Sequence, residues 1–124
     1  MKLEISENKL ERVIFRYLDI KDFIIKETSG SYFFLENERD EHAQIRIDKN
    51  DKYCYIYYDL TEEIKSFFSI EYPMVKDVLT RYVENVLNIK VSNIRGIGDF
   101  RSPTVGNTLN IKSSNARKQL QYPT

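Results

Sequence analysis

One cysteine, one histidine and no tryptophan leave this 124-residue chain short of the side chains on which much enzyme chemistry rests. A lone Cys54 excludes an intramolecular disulfide and suits a reducing compartment. Nucleophilic or acid–base catalysis needs a few such groups held together. Here a Cys–His pair could only be Cys54 with His42, and the strand alternation around them does not fix whether they share a face. Their plain reading is a packed thiol and a loop-edge imidazole. Glycine is scarce too, at four residues. The acidic loops at 36–42 and 48–51 lack the glycine that bends a calcium loop. Gly96-Ile97-Gly98 lacks the third glycine and the strand-to-helix setting of a dinucleotide loop. No catalytic constellation, metal site or cofactor is therefore expected. No stretch approaches the roughly 20 apolar residues that cross a bilayer. The opening Met-Lys-Leu-Glu-Ile-Ser-Glu-Asn-Lys is too charged for a secretory core, so no membrane role and a cytoplasmic location are expected.

What the chain does have is an ordinary globular composition, 41% hydrophobic and 31% charged, enough for one core without staples. Net charge is zero but uneven. Residues 1–63 carry 10 basic and 15 acidic groups, and residues 64–124 carry 9 and 4. Late in the chain, Lys90, Arg95, Arg101, Lys112, Arg117 and Lys118 face only Asp99. Such a bias marks either a solvated basic tail or a face for an acidic partner or nucleic acid.

The aromatic run Tyr53-Cys54-Tyr55-Ile56-Tyr57-Tyr58 organises the fold. It reads as a strand with no polar side, both of whose faces meet other protein. Before it, Leu10, Val13, Ile14, Tyr17 and Leu18 trace one helical stripe behind an N-cap at Ser6, with the helix ending near Asp19. Phe23 to Thr28, Tyr32 to Glu36, Ala43 to Asp48 and Lys52 to Tyr58 then read as a four-stranded antiparallel meander. Ser29-Gly30 makes the first turn. A helix opens at Asp59, where Glu62 completes a capping box, and carries Leu60, Ile64, Phe67 and Phe68. Pro73 starts another, with Val75, Val78, Leu79, Tyr82, Val83, Val86 and Leu87 inward and Asn88 as terminator. Ile89 to Val91 reads as a strand, residues 95–103 as a loop, and Thr108 to Lys112 as a last strand with Leu109 and Ile111 inward. The expected fold is one α+β domain over residues 1–112, with helices on one face of the sheet and a flexible tail at 113–124.

Several segments in this order carry a resemblance. They are Phe15-Arg16-Tyr17-Leu18-Asp19, Ala43-Gln44-Ile45-Arg46, the aromatic run, Glu63-Ile64-Lys65-Ser66-Phe67-Phe68-Ser69, and Val83-Glu84-Asn85-Val86-Leu87-Asn88-Ile89-Lys90-Val91. Over roughly residues 10–92 the chain resembles a group of short, uncharacterised proteins of environmental tailed phages. The resemblance implies an accessory protein acting in the cytoplasm of an infected bacterium. It carries no site residues, because the shared segments are packing patterns.

The candidate site is the tyrosine face. Alternation puts Tyr53, Tyr55 and Tyr57 together, joined by Tyr32 or Phe34 from a paired strand. Three readings stay open for it: core beneath a helix, an interface for a protein partner or a second copy, or a platform for unpaired bases. The leading functional expectation is a non-enzymatic interaction or self-associating module using this face. The alternative is a nucleic-acid binder with Arg95, Arg101, Arg117 and Lys118 on phosphates.

Overall fold

The first stripe does form a helix, α1 (Glu7–Lys21), in the computed structural model, which describes residues 7–37, 39–40, 42–97 and 108–115. The expected N-cap, Ser6, lies outside those residues. Within that stripe Ile14 and Leu18 are fully buried, while Val13 is 53% exposed. On the other side of Ile14, Phe15 meets Tyr82 of a later helix edge-on at 5.6 Å. The helix runs two residues past the expected end. It stops at Asp22, whose left-handed backbone (φ 48°) returns its N–H to Leu18 and Asp19 carbonyls.

The four strands of the expected meander follow as β1 (Ile24–Glu27), β2 (Ser31–Leu35), β3 (Ile45–Asp48) and β4 (Tyr53–Tyr57). They pair antiparallel in sequence order. They are, however, the middle of a six-stranded mixed sheet, ordered β5-β4-β3-β2-β1-β6. β5 (Asn93–Ile97) lies parallel to β4, and β6 (Asn110–Ser113) lies antiparallel to β1.

β5 corrects two expectations. Ile89 to Val91 is not a strand, because the chain is still leaving the helix there. The Val91 N–H is held by Glu84 Oε2 at 2.8 Å, and pairing with β4 begins after Ser92 N–H meets the Lys52 carbonyl. Arg95 and Gly96 belong to the strand rather than to a loop. Gly96 marks a close approach instead of a turn: a Cβ there would stand 2.5 Å from the Tyr72 hydroxyl. Residues 98–103 of the expected loop lie outside the described residues. Leu109, just before β6, and Ile111 within it are 61% and 41% exposed rather than inward, at the edge of the sheet.

Between the sheet segments run α2 (Tyr58–Phe68) and α3 (Tyr72–Leu87). α2 opens one residue early, at an exposed Tyr58. Its N-cap position is Tyr57 with no side-chain bond, so Asp59 and Glu62 make no capping box, and Asp59 serves the first-turn dipole. Leu60, Thr61 and Ile64 are its buried residues, while Phe67 is 65% exposed. α3 matches its pattern throughout. Pro73 stands in the first turn, the seven expected apolar residues are buried, and Asn88 ends it at φ 55°.

Cross-strand partners point to the same face of a sheet. Ile25, Phe34, Ile45 and Ile56 therefore share one face, as do Ile47 and Cys54. Those residues form one cluster with Ile14 and Leu18 of α1, Leu60 and Ile64 of α2 and the α3 stripe. All three helices thus cover one face.

Folded structure continues past the expected boundary at 112. Ser113 belongs to β6, and Ser114 is fully buried where its N–H meets the Phe23 carbonyl at 2.7 Å. Its hydroxyl lies 3.4 Å from that of Tyr82 and 3.5 Å from Asp22. Asn115 binds Asp22 and the Asp19 carbonyl, tying this end of the chain to the α1–β1 corner. The rest of the expected tail, 116–124, lies outside the described residues.

Candidate functional site

On β4 the two faces separate residue by residue. Cys54 and Ile56 are 0% and 1% exposed, whereas Tyr53, Tyr55 and Tyr57 are half-buried and belong to neither buried cluster. Of the expected readings for the tyrosine side, core beneath a helix is not met by any described helix. Every described helix sits on the Cys54 side.

Tyr32 and Phe34 do not join the tyrosines. β3 lies between β2 and β4, and the register runs Tyr32–Ile47–Cys54 and Phe34–Ile45–Ile56. Both residues therefore stand on the helix-covered side, where Phe34 is fully buried 6.0 Å from the Phe23 ring. Phe33 takes their place. A single row crosses all six strands as Ile111, Lys26, Phe33, Arg46, Tyr55 and Arg95. Phe33, at 9% exposure, packs with Leu35, Ala43 and Ile24 in a second small cluster on the β1–β2 half of this face. The accessible half is that of β3, β4 and β5.

There the side chains form a connected layer. The Tyr53 and Tyr55 rings stack at 5.1 Å with 29° between planes, as alternate residues of one strand allow. The Arg46 guanidinium lies 5.3 Å from the Tyr55 centroid, and that of Arg95 lies 6.0 Å from Tyr53. Arg46 is also held by its i+2 neighbour. Its Nε donates to Asp48 Oδ1 at 2.8 Å and its Nη2 to Oδ2 at 3.3 Å, while Ser31 Oγ donates to Oδ1 at 2.8 Å. Arg95 is exposed, and no described carboxylate reaches it. Of the nucleic-acid candidates, only Arg95 is brought to this face. Arg101, Arg117 and Lys118 lie outside the described residues.

Chemistry elsewhere is sparse. Cys54 stands between Ile47 and Ile94 in the register, and burial, with Glu84 nearby, pushes its thiol up to about 12. It packs in the main buried cluster. Among the described residues no three metal-ligating side chains converge, and no helix is long and apolar enough to cross a membrane. A further polar group joins α1 to α2. The Tyr17 hydroxyl donates to Glu63 Oε2, and Lys21 Nζ meets the same oxygen at 2.7 Å. The hydrogen bond to Glu63 pushes the Tyr17 hydroxyl up to about 12. Burial would raise the Glu63 carboxyl, but the bonds from Lys21 and Tyr17 outweigh it and hold it below its ordinary value.

Phe33 and Arg46 were the site residues missed. The two-residue turn at Ser29-Gly30 already implies that Lys26 faces Phe33, a register that the β1–β2 pairing reproduces. Assigning Phe33 to the tyrosine side needed the position of β3 as well. Compared with protein-family models, curated proteins and solved structures, the chain matches none.

Proposed function

We propose that this chain is a non-enzymatic interaction module, a phage accessory protein acting in the cytoplasm of an infected bacterium, that engages a protein partner through Tyr53, Tyr55 and Tyr57. The observation that carries this reading is the half-exposed tyrosine–arginine layer on the side of the sheet where no described helix packs. Tyrosine and arginine are among the residues enriched at interface hot spots, tyrosine because its rigid ring offers contact area and a hydrogen bond, arginine because its planar fork offers several donors. Base stacking draws less support. Each of the two rings already has the other ring and a guanidinium within about 6 Å, which leaves little free aromatic surface for a base.

The test is capture from nuclease-treated bacterial lysate with the wild-type protein and Tyr55→Ala as paired baits. The reading expects a protein that the wild type retains and Tyr55→Ala loses, at matched folded content. Equal retention by both baits would overturn it. Recovery that vanishes with nuclease would transfer the role to nucleic acid, and a concentration-dependent mass in light scattering would make the partner a second copy.

A further inference from the structure

Resting on the interaction-module reading, we infer that the partner segment is acidic and belongs to a different protein, with a carboxylate seated on Arg95 and its neighbouring residues laid across Tyr53 and Tyr55. The argument begins with charge. Following the cross-strand register, the charged strand residues on this side of the sheet are Lys26, Arg46, Asp48 and Arg95. Lys26 is buried, at 6% exposure, and Arg46 pairs with Asp48, so among the described strand residues of this side Arg95 is the accessible unbalanced charge, which an acidic group would complement.

The two arginines of the accessible half are not equivalent. Arg46 has its carboxylate already, in the two-pronged contact with Asp48. Arg95 sits directly across β5 from Tyr55 with its guanidinium near Tyr53, exposed, and with no described carboxylate within ion-pair distance. A guanidinium presents a rigid fork that suits a carboxylate, and an aromatic neighbour orients it without neutralising it. Among the described residues, Arg95 is thus the cation of this layer without a carboxylate.

The same charges select among occupants. Two copies meeting face to face would each bring an unbalanced Arg95 to a layer whose one described strand carboxylate, Asp48, is already engaged by Arg46, so neither copy answers the other's charge. A nucleic acid would bring its phosphates toward Asp48 and find the tyrosine ring faces largely engaged. An acidic polypeptide answers both constraints, since its carboxylates are discrete and its other side chains can pack on ring edges and hydroxyls.

The experiment uses the full chain and a fluorescein-labelled random copolymer of glutamate and tyrosine, with labelled oligo(dT) as the second probe, read by anisotropy at low salt. The expected result is binding of the copolymer that weakens with salt and falls about two- to fivefold in Arg95→Gln, the range for losing an exposed charge pair. Arg95→Lys should fall between, keeping the charge without the fork. Lys112→Gln, on the opposite edge, should bind like wild type, and thermal melts of all variants should coincide. Copolymer binding unchanged in Arg95→Gln, tighter binding of oligo(dT), or no copolymer binding would each overturn the inference. A captured partner that depends on Tyr55 but not on Arg95 would sink it while the interaction module stands. A partner indifferent to both would remove both.

Discussion

Along β4, Cys54 and Ile56 are sealed beneath three helices while Tyr53, Tyr55 and Tyr57 between and beside them keep part of their rings accessible. The sealed side is built from branched aliphatics and Phe34, which offer area and no polar demand. The tyrosine side is built from residues that are apolar in body and polar at the tip, tied by guanidiniums and one carboxylate. A strand of aromatic and apolar residues can therefore be half core and half surface. Its hydrophobic content alone does not distinguish a strand buried on both sides from one that presents an interface.

The contrast can be broken most severely from the sealed side. Phe34→Ala should cost about 3–5 kcal/mol, the range for emptying a well-packed aromatic site, and lower the urea midpoint accordingly. A loss below about 1 kcal/mol would mean that Phe34 is not the core residue its complete burial indicates.

The next test concerns how β5 reaches the sheet. Gly96→Ala puts a methyl against the Tyr72 hydroxyl, an overpacking expected to cost about 1–3 kcal/mol, with the low end favoured because the ring tip can swing. Tyr72→Phe in the same chain should restore most of that loss, giving a measurable coupling in a double-mutant cycle. Additive effects would show that the close approach is not what holds Gly96. A smaller change is expected at the other edge. Ser114→Ala removes a buried hydroxyl near Tyr82 and Asp22 and should cost about 1 kcal/mol, since these bonds are long. Its melt should still be a single transition.

The smallest effect is acid sensitivity in the α1–α2 tie. The Glu63 carboxyl is held below its ordinary value, so its stabilising contribution is full above the unfolded pKa and fades as pH falls through the folded one. Melts taken from about pH 6 to about pH 3 should show part of the acid loss disappearing in Glu63→Gln. Identical pH slopes in the two proteins would contradict the tie.

Much of the architecture was legible because its signals are local. The seven inward residues of α3, its proline start and its asparagine stop follow from period and caps alone. The four meander strands follow from alternation and turns. What was not legible depended on neighbours far along the chain. Gly96 carries the signature of a loop until Tyr72 is seen above it. Val13 and Ile14 fit the same helical stripe, yet of the two Ile14 alone is buried. Tyr32 and Phe34 could be grouped with the tyrosines only while the position of β3 was unspecified, because inserting one strand and its register fixes the side on which each residue lies. The grouping of Tyr53, Tyr55 and Tyr57 was readable. Their exposure was not, because it depends on where three helices pack.

The most direct test is therefore the urea denaturation of Tyr55→Ala. A half-exposed ring held by one stacked neighbour and one guanidinium should cost at most about 2 kcal/mol, leaving a cooperative melt with an unchanged slope. A loss of about 3–5 kcal/mol, equal to that of Phe34→Ala, would make Tyr55 a core residue and would contradict the tyrosine face as a surface for a partner.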